Sequence, residues 1–192
     1  NLSTAVQTKL RELYLSPLRE LSPKIKKRVD KNLTNLARVG LLGQLLPGAT
    51  ALVCQRDPVP CGLSCFVQDL STAGFPWSSE PDHIRRALQA QTRLCKHWLE
   101  TKPLRMIDMP YESFVGGGES AQRELIDRLG LDWDPACADL HQPRGRGTTT
   151  SSYAQVQQPM HGSANQAGEK WGERLELFLS LIHISEPTRQ IV

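Results

Sequence analysis

Residues 49 to 60 read ATALVCQRDPVP, an apolar run followed directly by residues that are typical of a turn and of a helix start. Its first part, Ala49 to Gln55, is a short and largely apolar run without alternation, which is typical of a strand buried on both faces of a parallel sheet. Asp57 then stands where a helix N-cap is needed, and Pro58 suits the first helical position. The stretch therefore predicts a strand, a tight turn and a helix that runs to about Gln68.

Helical and strand patterns alternate on both sides of this unit. Apolar residues at helical spacing predict helices over residues 1 to 22, 33 to 46, 81 to 102 and 119 to 129, and the inner face of the third would carry Ile84, Leu88, Leu94, Cys95 and Trp98. Residues 104 to 109 predict a second strand, residues 69 to 79 a surface loop, and residues 116 to 118 a flexible glycine link. This order predicts an α/β domain in which helices cover a parallel sheet and ligands bind beyond the carboxyl ends of the strands.

Composition indicates a soluble globular chain with room for one core. The 192 residues are 39% hydrophobic and 22% charged, and the net charge of +3 is far below that of a typical nucleic-acid-binding domain. The five cysteines have irregular spacing and no neighbouring histidines at zinc-ligand intervals, so we expect reduced thiols, no metal site and a cytoplasmic protein. No signal peptide pattern or membrane span is expected either.

The C-terminal third is different in character. Residues 142 to 168 are rich in Gly, Thr, Ser, Gln and Pro and predict a long loop, after which Trp171, Leu175 and Phe178 resume a helical spacing. Residues 179 to 189, LSLIHISEPTR, resemble the conceptual translation of a transposase-derived sequencing adapter. We therefore expect a domain over residues 1–178, a non-native tail over residues 179–192, and a chain that is a gene fragment.

Arg56 and Ser64 carry the strongest chemical signal. A helix N-terminus presents unsatisfied N–H groups and a partial positive charge, so an arginine at its start and a hydroxyl two turns later can hold a phosphate together. The alternative interpretation is a surface ion pair between Arg56 and Asp57, with Ser64 facing solvent. Spacing alone leaves both open.

Six motifs in unbroken order resemble a known enzyme family: VDKN (29–32), LLPGATALVCQRDPVPCGLSCF (45–66), MPYESFV (109–115), LGLDWDPAC (129–137), TSSYAQVQQP (150–159) and KW (170–171). Together they resemble the sulfotransferase domain of bacterial proteins that carry tetratricopeptide repeats, and they are also similar to tyrosylprotein sulfotransferases. The resemblance covers about three quarters of the chain. It implies a P-loop nucleotide fold and transfer of a sulfuryl group from 3′-phosphoadenosine 5′-phosphosulfate (PAPS) to an acceptor hydroxyl on a protein tyrosine, a carbohydrate, a lipid or a small alcohol.

The resemblance also implies roles for individual residues. Arg56 and Ser64 would bind the 3′-phosphate of the nucleotide, and Lys31 would stabilise the charge that builds on the leaving phosphate. Lys31 could instead be a solvated member of the basic run around it, and Asn32-Leu33 stands where the family usually has Met-Pro.

Three further positions are assigned by the same resemblance. Ser152 would donate to the phosphosulfate, Tyr111 would lie near the nucleotide, and Lys170 matches a basic position of the family. Ser152 could also be an ordinary loop residue, and Tyr111 a core residue. Arg144 and Arg146 could reach the nucleotide, but we expect them to be solvated.

Two parts of the family's machinery are not found in the 192 residues. These are the Gly-rich phosphosulfate loop and the glutamate base that follows it, so we expect a domain that is incomplete at its N-terminus and inactive alone. Glu112 follows a strand and is not expected to replace that base. Two rival interpretations remain: a non-catalytic nucleotide-binding or interaction module, and a P-loop kinase fragment, for which only Asp57 is a near candidate as a magnesium ligand.

Overall fold

The computed structural model describes residues 2–21, 25, 27–68, 70 and 74–138, and the described part is an α/β structure. Its helices are α1 (Thr4–Leu21), α2 (Val39–Leu45), α3 (Pro58–Gln68), α4 (Pro81–Thr101), α5 (Tyr111–Gly116) and α6 (Gly118–Arg128). Its strands are β1 (Thr50–Gln55) and β2 (Arg105–Pro110). Short 3₁₀ turns span Leu33–Arg38, Pro76–Ser79 and Pro135–Cys137.

Within the described residues, strands β1 and β2 are hydrogen-bonded neighbours in a parallel, two-stranded sheet. Both strands were predicted from the sequence to within one residue at each end. The expected burial of β1 on both faces is wrong, because only Val53 is buried, whereas Leu52 is 38% exposed and Cys54 is exposed. An apolar run without alternation shows that a strand is hydrophobic, but it does not show how many neighbours cover it.

The chain divides into two compact units. The first comprises Asn1–Val53 and Gln91–Asp108, and its buried apolar residues come from α2, the second half of α4, the two strands and the residue just before β2: Val39, Leu45, Val53, Cys95, Leu104 and Ile107. The indole Nε1 of Trp98 donates to the carbonyl oxygen of Leu36 at 2.7 Å. Helix α1 contacts α2, where Arg11 Nε donates to the carbonyl oxygen of Leu45 at 2.6 Å.

The predicted helix over residues 33 to 46 is two elements instead of one. Leu33–Arg38 forms a 3₁₀ turn, and α2 begins only at Val39. The side-chain oxygen of Asn32 accepts hydrogen bonds from the Thr34 backbone N–H at 3.0 Å and from its hydroxyl at 2.9 Å. Asn32 therefore caps a tight first turn, a local detail that apolar spacing does not report.

Gly43 lies where α2 approaches the chain just before β2. A Cβ atom at this position would be 2.5 Å from the carbonyl oxygen of Pro103, which is closer than side chains can come to backbone. We expect Gly43→Ala to lower the free energy of unfolding by about 1–3 kcal/mol, despite the better helix propensity of alanine. Gly48→Ala is the control, because a Cβ atom there meets nothing within 4 Å. Urea titrations would check this, and equal stability of the two variants would contradict the packing described here.

The second unit comprises Cys54–Ala90 and the chain from Met109 onward. Its buried apolar residues include Leu63 of α3 and Ile84 and Leu88 of α4. Residues 69 to 79 were expected to form a surface loop, but Ser78 is completely buried within the 3₁₀ turn Pro76–Ser79, which contacts α3. The turn-forming residues of this segment predict an irregular backbone correctly. They do not predict that Ser78 is buried.

Helix α6 ends as the sequence predicts. Gly130 has a φ of +67°, the left-handed conformation that a helix C-terminus commonly needs and that glycine adopts without strain. The chain then places Trp133 under the guanidinium of Arg123, with 4.3 Å between Arg123 Cζ and the ring centroid. The side chain of Asp134 accepts from the Ala136 N–H at 2.8 Å and so caps the following 3₁₀ turn.

Candidate functional site

The turn between β1 and α3 is built as the sequence predicts. Asp57 Oδ1 accepts a hydrogen bond from the Val59 N–H at 2.8 Å, and the Asp57 carbonyl accepts from the Cys61 N–H at 3.2 Å. Asp57 thus caps α3 and Pro58 begins it. Arg56 is the residue that joins the end of the strand to this cap.

Helix α5 supplies two side chains to this turn. The guanidinium of Arg56 lies over the ring of Tyr111, with 5.1 Å between Arg56 Cζ and the ring centroid. Glu112 Oε1 accepts a hydrogen bond from the Asp57 N–H at 3.0 Å. The cation–π contact orients Arg56, and the carboxylate fixes the backbone immediately after it.

Helix α5 was not predicted. The sequence predicts a second strand that ends near Met109 and a flexible link at residues 116 to 118, but Tyr111–Gly116 is helical and α6 begins at Gly118. A helix of 6 residues is too short for apolar spacing to identify. Because α5 begins at Tyr111, directly after β2, the side chains of Tyr111 and Glu112 reach the turn between β1 and α3.

Ser64 lies on α3, two turns after Arg56, and is half-buried. Its Oγ accepts a hydrogen bond from Gln68 Nε2 at 2.9 Å. Since the oxygen is the acceptor in this contact, the hydroxyl hydrogen can be donated to another group. Gln68 therefore fixes the position of the Ser64 oxygen on α3 and leaves its hydroxyl hydrogen able to donate.

Two cysteines follow the cap on the same helix. A hydrogen bond from the Cys65 thiol, aided by the positive charge of Arg56, lowers the pKa of Cys61 to about 7 despite its burial. The same hydrogen bond, followed by burial, raises the pKa of Cys65. The charges of Asp57 and Glu112 also act on Cys61 and raise its pKa in part. The sequence does not predict that Cys61 and Cys65 act as a pair, because a separation of four residues between cysteines is not by itself a known ligand motif.

Lys31 lies in the first unit with its side chain exposed. The residues on either side of it are anchored: the Tyr14 hydroxyl donates to Asp30 Oδ2 at 2.6 Å, and Asn32 caps the 3₁₀ turn. Burial, together with this bond to Asp30, raises the pKa of Tyr14 to about 12. Asn32, which replaces the family's usual Met, therefore has a structural role of its own.

Several predicted residues and segments lie outside the described residues. These are Ser152, Lys170, Arg144 and Arg146, together with the long loop, the helical pattern after it and the tail over residues 179–192. Of the predicted site residues that are described, the structure brings Arg56 and Tyr111 into contact.

Glu112 and Cys61 contribute to this region although neither was assigned a site role from the sequence. Glu112 could have been found only from the pairing of β1 with β2, which brings residues 55 positions apart together.

Two further features concern the described residues between 2 and 138. No group of three or more His, Cys, Asp or Glu side chains there is arranged to hold a metal ion. None of the helices in that part of the chain combines the length and apolar character needed to cross a membrane.

Comparison with known proteins supports the coarser part of the resemblance, which is the sulfotransferase family. A relative from Aquifex aeolicus (strain VF5), described only as an uncharacterized protein, is 24% identical over 173 residues, which are 88% of this chain and 22% of that protein. The chain thus spans less than a quarter of the length of this curated relative. No solved structure matches the chain. The profile described as "Sulfotransferase family" matches residues 3–135, which include Lys31, Arg56, Ser64 and Tyr111, and the chain therefore belongs to this family of transferases.

Proposed function

We propose that this domain, as part of a protein with a phosphosulfate loop, transfers a sulfuryl group from PAPS to an acceptor hydroxyl, on a P-loop nucleotide fold. The observation that carries the proposal is the turn after β1. There Arg56 stands at the capped N-terminus of α3 and is held over Tyr111. A guanidinium beside the N–H groups of a helix start is a combination that binds phosphate.

The placement of Ser64 supports a shared phosphate site with Arg56. Residues three and four apart on a helix share a face, so Ser64 lies on the same face as Cys61 and beside Cys65. The positive charge of Arg56 acts on the thiols of both cysteines. Arg56 directly precedes the cap of α3 and Ser64 lies two turns along that helix, so we assign the two residues to the 3′-phosphate of the nucleotide.

Neighbouring residues position Ser64 and Arg56 in this proposed phosphate site. Gln68 holds the Ser64 oxygen so that the hydroxyl can donate, and Tyr111 limits the positions that Arg56 can take. Glu112 is engaged by the Asp57 N–H, so its carboxylate has a structural task in the turn. This task argues against Glu112 as the catalytic base.

The remaining roles follow from the family. When bound, PAPS supplies the sulfuryl group and leaves as adenosine 3′,5′-bisphosphate. Lys31 would stabilise the negative charge that the leaving phosphate gains as its bond to sulfur breaks, and Ser152 would donate a hydrogen bond to the same oxygens. Lys170 would add positive charge to the nucleotide site. Cationic and hydroxyl donors of this kind would stabilise the leaving group without a metal ion.

The 192-residue chain should bind nucleotide without catalysing transfer. Neither the Gly-rich phosphosulfate loop nor its following glutamate is found in the sequence, so the groups that grip the sulfuryl group and deprotonate the acceptor are not supplied. Incubation with PAPS carrying labelled sulfate and a mixture of phenolic, carbohydrate and alcohol acceptors should give no transfer above the uncatalysed rate. The control is a protein that joins this domain to the missing loop, which should transfer the label. Transfer by the chain alone would show that catalysis resides elsewhere than we propose, and an inactive joined protein that still binds nucleotide would favour a non-catalytic module.

A further inference from the structure

Glu112 makes a contact in the turn after β1 that the proposed transfer reaction does not use. It is the second residue of α5, and its side chain is exposed. Its Oε1 atom accepts a hydrogen bond from the Asp57 N–H at 3.0 Å, across 55 positions of the sequence. Asp57 is also the residue whose side chain caps α3, so Glu112 holds the backbone between the end of the strand and the start of the helix.

This hydrogen bond reaches Arg56 through the peptide unit that joins Arg56 to Asp57. A peptide unit is planar, so a carboxylate that fixes the Asp57 N–H also fixes the direction of the Arg56 carbonyl. At the other end of the arginine, the guanidinium lies over the ring of Tyr111, with 5.1 Å between Arg56 Cζ and the ring centroid. Tyr111 and Glu112 are consecutive residues of α5. One short helix therefore holds Arg56 at both its backbone and its guanidinium.

We propose that Glu112 is a positioning residue for recognition of the 3′-phosphate, and that it acts by holding Arg56 in place before the nucleotide binds. The inference rests on the proposed function of the turn after β1. An arginine side chain that is not held has many rotamers, and ordering it opposes binding. A side chain that is already held loses less freedom when the phosphate arrives, so the affinity is higher.

Charge and position make opposite predictions for Glu112. A carboxylate repels phosphate, so if Glu112 acted only through its charge, its removal would tighten the binding of a nucleotide that carries a 3′-phosphate. If Glu112 positions Arg56, its removal should weaken that binding although the repulsion is lost. Glu112→Gln separates the two effects, because the carbonyl oxygen of the amide can accept the Asp57 N–H without carrying a charge.

The experiment is a calorimetric titration of the 192-residue chain and its variants with adenosine 3′,5′-bisphosphate and with adenosine 5′-monophosphate. The ratio of the two affinities measures the preference for a 3′-phosphate. Glu112→Ala should lower this ratio by about three- to tenfold, whereas Glu112→Gln should keep it within about twofold of the unaltered chain. Loss of folded protein would weaken both nucleotides together and leave the ratio unchanged, and thermal unfolding of each variant checks the fold.

Two further variants test whether Glu112 acts through Arg56. In the Arg56→Ala background, Glu112→Ala should lower the ratio no further, because the residue that it positions is already gone. Glu100→Ala is the control for net charge, since it removes an exposed carboxylate of α4 that is not part of the turn after β1. It should leave the ratio within about twofold. An additional loss in the double variant would contradict action through Arg56.

The unaltered chain distinguishes a failure of this proposal from a failure of the proposed function. If the unaltered chain prefers the 3′-phosphate and Glu112→Ala keeps that preference, or Glu112→Gln loses it as fully as Glu112→Ala does, the role of Glu112 is wrong and the phosphate site stands. If the unaltered chain binds both nucleotides equally, the phosphate site is wrong and the role of Glu112 is wrong with it.

Discussion

Lys31→Ala should lower kcat by on the order of 100-fold in a protein that joins this domain to a phosphosulfate loop. A preorganised lysine stabilises the transition state, in which negative charge gathers on the leaving phosphate, much more than it stabilises bound PAPS. The KM for PAPS should therefore change little. Initial rates with labelled donor over a range of PAPS concentrations separate the two constants.

Lys27→Ala is the matched control for Lys31→Ala. Lys27 is exposed and belongs to the same basic run, but it lies outside the VDKN motif. Its loss should leave kcat within about twofold, as is usual for a solvated surface charge. Equal effects of the two substitutions would indicate that Lys31 is an ordinary solvated lysine of the basic run. An effect of Lys31→Ala on KM alone would mean that this lysine only binds the nucleotide.

Arg56→Ala should weaken the binding of adenosine 3′,5′-bisphosphate by about 1.5–3 kcal/mol, or roughly 10- to 150-fold. The guanidinium is proposed to hold the 3′-phosphate equally in the ground and transition states, so KM should rise and kcat should stay nearly constant in the joined protein. Arg56→Lys should recover only part of the affinity, because an ammonium lacks the planar fork and the stacking on Tyr111.

Arg93→Ala is the control for Arg56→Ala. Arg93 is exposed on α4 and is not part of the turn after β1, so its loss tests the effect of net charge alone. Thermal unfolding of both variants shows whether the affinity change reflects a loss of fold. A fall in kcat without a change in KM for Arg56→Ala would mean that the roles proposed for Arg56 and Lys31 are reversed.

Local chemistry is the part of this fold that sequence predicts well. Asp57 and Pro58 specify the start of α3, Pro81 the start of α4 and Gly130 the end of α6, because caps and helix stops depend on a few adjacent residues. Strands β1 and β2 follow from short apolar runs between turn residues. Arg56 was identified as a candidate for the same reason, since its position after a strand and before a cap is a local property.

Tertiary contacts are the part that sequence did not predict. The exposure of Leu52 depends on what covers β1, and the burial of Ser78 depends on how the 3₁₀ turn Pro76–Ser79 packs against α3. The contacts of Tyr111 and Glu112 with the turn after β1 join residues 55 positions apart. Without a second sequence to compare, no pattern within the chain reports such pairs, and the motif resemblance named Tyr111 without indicating the contact that orients Arg56.

The claim that the turn after β1 binds a 3′-phosphate is tested most directly by calorimetric titration of the 192-residue chain with two nucleotides. Adenosine 3′,5′-bisphosphate and adenosine 5′-monophosphate differ only in the 3′-phosphate. The chain should bind the first at least tenfold more tightly, since a charge-assisted contact is worth about 1.5–3 kcal/mol, and Arg56→Ala should abolish most of this difference. Equal affinity for the two nucleotides, or a preference that survives Arg56→Ala, would contradict the assignment of Arg56 to the 3′-phosphate.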